Sequence, residues 1–522
     1  MKRKLIMSAA EAVSLIRDGE VVALGGFIGS GLAETVNREA EQQFLETGHP
    51  RDLTLIFGAG QGSKDGLGNE HYSHEGMIRR VIGGHWAKCP KMGKMANENK
   101  IEAYNLPQGV ISQMYRDIAI KRGFTISHVG LNTFVDPRLE GGKLNSITKE
   151  DFVKLIALEG QELLLYRHVP IDVCILRGTY ADERGNVTLE HEVAPMDGTT
   201  LAQACKASGG KVIVQVKQIV KAGTLDPRMV KIPGIYVDAL VLSTPVDHEQ
   251  SIGTYYDPSV SGETHMHIEK KSEMKLDSKK IIARRAALEL QNGAVINLGI
   301  GAPEYIAAVA VEENIDEDIT LTIESGIVGG IALSANQFGA ARNPEAIIDH
   351  RQQFDFYDGG GIDLAFLGLA EADTYGNVNV SKFGELVAGC GGFINITQNA
   401  KKVFFCGTFT AAGLKTEICD GKLNILQEGK KSKFVKAVQQ ITFSADYAKK
   451  RKQPVMFITE RAVFRLEEDG LHLIEIAPGI QIERDILPFM DFKPIIDDNL
   501  REMDKRIFLN QPMELYKTFN QL

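Results

Sequence analysis

The chain repeats itself, and that constrains its fold more than any other feature. IDVCILRGTYADERGNVTL, from Ile171, aligns with IDLAFLGLAEADTYGNVNV, from Ile362, pairing Asp172 with Asp363, Asp182 with Asp373 and Gly185 with Gly376 at a constant separation of 191 positions. The same separation joins KVIVQV at Lys211 to KVFFCG at Lys402, so the match extends beyond one short motif. Nearer the front of each copy, DGEVVALGGFIGSGLAE from Asp18 aligns with NGAVINLGIGAPEYI from Asn292, now 274 positions apart. Each copy reads as helix, strand, Gly-rich turn, helix.

Short β-branched runs separated by helical stretches and Gly turns are the pattern of parallel sheets covered by helices. The predicted fold is therefore α/β: two tandem related α/β lobes with largely parallel sheets, fused in one chain. Residues 1–250 form the N-terminal lobe, 251–276 a linker and 277–522 the C-terminal lobe; the linker is placed where SIGTYYDPSVSGETHMHIEKKSEMK loses periodicity and turns polar. The larger front separation gives the first lobe an insertion at about 68–145, holding Trp86, a basic run from Lys88 to Lys100, and EAYNLPQG. It reads as a lid or substrate-facing elaboration.

A chain of 522 residues exceeds one ordinary core, in keeping with two lobes. A formal net charge of −9 argues against a nucleic-acid partner. The six cysteines form no CxxC pair or tight Cys/His cluster, which argues against structural zinc and fits a reducing compartment. His265 with His267, and His71 with His74, lack a third ligand in frame and read as scattered surface histidines, so no metal is expected. The amino terminus is read as a helix rather than a leader: Ser8 and Glu11 are spaced as a capping box, and Ala9 to Ile16 carries the apolar stripe. No stretch approaches the roughly 20 apolar residues of a membrane span. No membrane partner is expected, and the expected location is the cytoplasm.

Glu324 is the leading catalytic candidate. It ends the run Ile319–Ile323 in DITLTIESGIVGG, with Ser325-Gly326 as the turn, and ligands of open α/β sheets bind beyond the carboxyl ends of strands. A strand-ending Glu also serves as a solvated or capping residue, but the first copy, DLTLIFGAGQG, has Gly58 at the matching place. One carboxylate in two copies suits a single site per chain. The turn Gly299, Ile300, Gly301, Ala302, Pro303 follows a strand and opens a helix, where free backbone N–H groups can hold an anion; the alternative is a tight connection without a ligand. It has neither the dinucleotide nor the P-loop pattern. A third cluster, AGCGGF, places Gly389, Gly391 and Gly392 around Cys390, fitting either a close ligand approach or a ligand-free turn.

These motifs resemble the family I coenzyme A transferases along nearly the whole chain. Asp18 to Ala33 follows the first-lobe signature, with Ala33 where the family usually has proline, and IESG at Ile323 to Gly326 looks like the block bearing the catalytic glutamate. The single-chain layout, with EAYNLPQG and AGCGGF, is most similar to short-chain acetate/propionate transferases. The resemblance implies that Glu324 is the covalent nucleophile, carrying CoA as a glutamyl thioester in a ping-pong reaction between acyl-CoA and short-chain carboxylates (acetate, propionate, butyrate, lactate). It also implies CoA-binding and oxyanion loops at Gly299–Pro303 and Gly389–Gly392, an acyl-pocket role for Gln108, coenzyme A as substrate with no permanently bound cofactor, and a homotetramer or other homo-oligomer. Two other readings stand beside it: an acyl-CoA hydrolase on the same scaffold, and a non-catalytic metabolite sensor.

Overall fold

A computed structural model describes residues 5–267 and 274–519. It divides into two compact units that do not follow chain order. The first comprises Met1–Met266, Ile323–Asp355 and Gly384–Asn395; the second comprises His267–Thr322, Phe356–Phe383 and Ile396–Leu522. These units cut across the sequential division at 250 and 277, because two C-terminal segments, one beginning next to Glu324 and one holding the AGCGGF loop, pack with the N-terminal half.

Eight strands of the first unit form a parallel run in the order Ile6–Met7, Ala239–Leu242, Lys211–Val220, Val173–Asp182, Val21–Leu24, Leu53–Phe57, Ile78–Gly83, Glu102–Asn105. The central ones are buried along nearly their whole length, which is why they read as continuous Val/Ile/Leu runs without alternation. In the second unit, Thr320–Ile323, Val295–Leu298, Leu364–Leu367, Lys402–Cys406 and Val455–Ile458 are parallel neighbours in that order; an antiparallel pair, Ala462–Glu467 and Gly470–Ile476, then extends the sheet. The strand ending in Ile323 leads directly into Glu324 of the first unit.

Identical turn chemistry explains the repeat. Asp172 accepts a hydrogen bond from the Val21 N–H at 2.9 Å, and Asp363 accepts one from the Val295 N–H at 2.8 Å, each tying the start of one parallel strand to its neighbour. Asp182 Oδ1 accepts from the Arg184 and Asn186 N–H groups at 2.9 and 3.0 Å; Asp373 Oδ1 accepts from those of Tyr375 and Asn377 at 3.0 and 3.0 Å. Gly185 and Gly376 both stand at φ +90°, a conformation that glycine adopts without steric cost. The repeated Asp and Gly residues hold turns and strand starts.

The insertion is not a lid. Ile78–Gly83 and Glu102–Asn105 are sheet strands, Trp86 is fully buried, and the helix Gln108–Ala119 is mostly buried. At the amino terminus the helix is Ala9–Val13, and its capping box is present: Ser8 Oγ accepts from the Glu11 N–H at 3.2 Å, and Glu11 Oε2 accepts from the Ser8 N–H at 2.9 Å. Ser8→Ala is expected to lower stability by about 1 kcal/mol in denaturant unfolding. No helix among the described residues is long and apolar enough to cross a membrane.

Candidate active site

The site is built from the IESG block outward. Ser325 is fully buried and its Oγ donates to the Gly339 carbonyl at 2.5 Å. Gly326 has φ +113°, and a Cβ there would lie 2.0 Å from the Ile348 carbonyl oxygen, so only glycine fits the turn. These two contacts fix the backbone just past Glu324. Its carboxylate accepts a hydrogen bond from Gln108 Nε2 at 3.1 Å and one from the Gly392 N–H.

Gln108 is the first residue of its helix, delivered by the strand Glu102–Asn105 and the Leu106-Pro107 turn. Asn105 fastens two loops beside it: its Nδ2 donates to the Gly83 carbonyl at 2.8 Å and to that of Gly84 at 2.5 Å, while its Oδ1 accepts from the Cys390 N–H at 2.9 Å. The Gln108 N–H donates to the Gly391 carbonyl at 2.9 Å, and the Gly391 N–H to that of Gly84 at 2.9 Å. EAYNLPQG and AGCGGF, far apart in sequence, are thus laced together. Gly389 and Gly391 occupy left-handed conformations at φ +75° and +51°, and a Cβ on Gly392 would lie 2.7 Å from the Glu324 carboxyl. Gly58, at the place matching Glu324 in the repeat, lies beside Gln108 and His350.

Glu324 keeps some exposed surface, yet protein crowds its carboxyl group. That dehydration pushes its pKa up to about 7, with the Gln108 amide and the Gly392 N–H pulling the other way. A carboxyl group tuned to neutrality, with two N–H donors aimed at it, can serve as a nucleophile or as a proton-transfer group. The Cys390 thiol is buried and pushed far above its usual range by that burial, so the cysteine acts as a small loop residue.

The structure therefore brings Glu324, Gln108, Gly389, Gly391 and Gly392 together within the first unit. The turn Gly299, Ile300, Gly301, Ala302, Pro303 lies in the second unit. There the Gly299 N–H donates to the Phe366 carbonyl at 2.8 Å, Gly301 has φ +97°, Ile300 is exposed, and a short 3-10 turn at Ala302–Glu304 leads into the helix Tyr305–Glu312. Sequence reasoning missed His350, Asp197 and Ser112. His350 Nε2 meets Gln108 Nε2 at 2.9 Å, its Nδ1 meets Asp197 Oδ2 at 2.9 Å, and Ser112 Oγ donates to Asp197 Oδ1. The sequence did offer one trace, an Asp-Gly-Thr-Thr helix start at Asp197.

His71 corrects the reading of scattered surface histidines. It is buried, with Nε2 2.8 Å from Glu34 and Nδ1 2.5 Å from Glu41, which also meets His74 Nε2 at 2.6 Å. Among the described residues, no group of three or more His, Cys, Asp or Glu side chains is arranged to hold a metal ion.

Comparison with known proteins gives the site its context. The family model described as "Coenzyme A transferase" matches residues 6–243 and 279–484. The chain is 44% identical over 513 residues to acetate CoA-transferase YdiF of Escherichia coli O157:H7, covering 97% of this chain and 96% of that one. It is 45% identical over 508 residues to caffeate CoA-transferase of Acetobacterium woodii, covering 96% and 97%. The crystal structure of the Escherichia coli O157:H7 acyl-CoA transferase YdiF as a thioester complex with CoA superposes with a TM-score of 0.93 at 43% identity, covering 98% of this chain and 97% of that one. Ala33, the departure from the first-lobe signature, occupies the N-cap position of the helix Glu34–Thr47 without a side-chain cap. The chain belongs to the coenzyme A transferase family.

Proposed function

We propose that this chain moves coenzyme A between a short-chain acyl-CoA and a free carboxylate, with Glu324 as the covalent carrier. The observation that carries this reading is the convergence of the Gln108 amide and the Gly392 N–H on one crowded carboxylate. Likeness to an acetate CoA-transferase, and to a transferase crystallised as a thioester with CoA, supports it.

In the first step the Glu324 carboxylate attacks the thioester carbonyl, forming a mixed anhydride and releasing CoA thiolate. The thiolate then attacks the glutamyl carbonyl, giving a Glu324–CoA thioester and freeing the donor acid. A second carboxylate reverses both steps and leaves as the new acyl-CoA. Each intermediate retains the energy of the original thioester, so these steps consume no ATP. Gly389, Gly391 and Gly392, with Gln108, would border the reacting carbonyl and offer N–H groups to its oxyanion. Gly299, Ile300, Gly301, Ala302 and Pro303 would supply a backbone surface for CoA. Acetate, propionate, butyrate and lactate are the proposed acids; a homo-oligomer in the cytoplasm is the proposed setting.

Initial rates with propionyl-CoA and labelled acetate test this reading. Parallel double-reciprocal lines and label appearing in acetyl-CoA are expected; release of free CoA without label transfer would favour hydrolysis, and no reaction would favour a sensor. Caffeate belongs in the acid panel, since a relative of 45% identity is named for it. The attacking carboxylate must be ionised and its pKa is raised to about 7, so kcat/KM for the acyl donor is expected to fall about tenfold per pH unit below 7 and to level off above it.

A further inference from the structure

Behind Gln108 lies a chain of polar groups that the transfer steps do not use. The Gln108 amide nitrogen sits 3.1 Å from Glu324 Oε2 and 2.9 Å from His350 Nε2. An amide NH2 has two hydrogens and no lone pair to offer, so it donates to both, and His350 Nε2 must be the acceptor. The ring proton then resides on Nδ1 and is donated to Asp197 Oδ2, 2.9 Å away. Ser112 Oγ donates to the other Asp197 oxygen.

Three features show that this arrangement is built. Asp197 occupies the N-cap of the helix Gly198–Ala207 but makes no side-chain cap there; its carboxylate serves the imidazole instead. Met196, just before it, stands at φ +52°, a costly conformation for a side chain of its size, and its carbonyl accepts the His350 N–H at 3.1 Å. Phe27 and Phe354 meet the imidazole edge-on at 6.0 and 4.9 Å, fixing the plane of a ring that is 2% exposed.

We infer that His350, oriented by Asp197, is a positioning residue: its Nε2 lone pair pins one hydrogen of the Gln108 amide so that the other faces Glu324 and the oxyanion formed there. A second ring proton, or the opposite tautomer, would set an N–H against the amide NH2. The amide would turn over and show Oε1 to a carboxylate or oxyanion, replacing attraction with repulsion. The other ionisable groups around the pair are Asp349, beside His350 in the chain, and Tyr115, on the helix Gln108–Ala119; Lys231 and Arg351 act on Asp349. The inference rests on the proposed transfer reaction, but the imidazole state can be read without it.

Asp197→Asn keeps the shape but replaces one of the two acceptor oxygens with an NH2 donor, so the side chain no longer holds the ring to one tautomer. It is expected to lower kcat roughly 100-fold with little change in KM, the scale of losing one oxyanion donor. In a Gln108→Ala background the same change should alter kcat by less than about threefold, because the two act as one unit. Equal losses in both backgrounds would overturn the inference. Nitrogen-15 histidine spectra of the unaltered protein, with His350 assigned by its disappearance in His350→Gln, give a second reading that needs no stable Asp197 variant. A neutral ring protonated on Nδ1 is expected; an imidazolium, or a ring protonated on Nε2, would overturn it. Absence of CoA transfer by the unaltered protein would instead overturn the proposed function, leaving the spectrum to decide the imidazole's state.

Discussion

Glu324→Gln is expected to lower turnover by more than about 10⁴-fold, the scale of removing a covalent nucleophile, while making the protein more stable at neutral and alkaline pH. The activity loss follows because glutamine has the shape of glutamate without an attacking oxyanion. The stability gain follows from linkage. The Glu324 pKa is raised from 4.5 to about 7 in the fold, so the folded state holds its proton more tightly than the unfolded chain. Stability from that proton is fully present below about pH 4.5 and is lost as pH rises to about 7. The loss is on the order of 3 kcal/mol at one pKa unit per 1.36 kcal/mol. Glutamine carries no charge to dehydrate, so urea midpoints for the variant and the parent should coincide at pH 4.5 and diverge by pH 8, with the variant higher. A variant that is inactive and also less stable at pH 8 would contradict the buried-carboxylate account.

Gly392→Ala carries the next largest effect. The added Cβ would lie 2.7 Å from the Glu324 carboxyl and 2.9 Å from Phe354 Cζ. Of these neighbours the carboxyl end of Glu324 moves most cheaply, so the fold survives and the nucleophile is displaced. A displacement of about 1 Å costs roughly 100-fold in kcat when geometry governs attack. Steady-state kinetics beside thermal unfolding separate the two consequences: a large fall in kcat with a nearly unchanged Tm is expected. A loss of Tm in proportion to activity would place Gly392 in folding rather than in the site.

The fold class was legible because the repeat preserves turn chemistry. Asp172 and Asp363 bind equivalent N–H groups, and Gly185 with Gly376 share a backbone conformation, so physical necessity recurs as sequence identity. The strand before Glu324 and the glycine-rich loops were legible for the same local reasons. The compact units were not, because membership of Ile323–Asp355 and Gly384–Asn395 depends on packing with residues hundreds of positions away. The lid alternative for the insertion fails because Gly and Lys residues around Trp86 mask two sheet strands, while Gln108, within the same stretch, meets Glu324. His350 and Asp197 lie 153 residues apart, and His350 and Gln108 lie 242 apart, so no local spacing announces their contact. Asp197 stands at a helix N-cap, and only the structure shows its side chain turned to another use.

In the proposed reaction Glu324 carries coenzyme A covalently. Incubation with propionyl-CoA in the absence of any acceptor acid, trapping with borohydride or hydroxylamine, and mass mapping of the digested protein test it most directly, with Glu324→Gln and a sample lacking CoA as controls. Release of propionate and a trapped modification confined to the peptide containing Glu324, missing from both controls, are expected. Transfer activity without any modification at Glu324, or a modification that persists in Glu324→Gln, would contradict it.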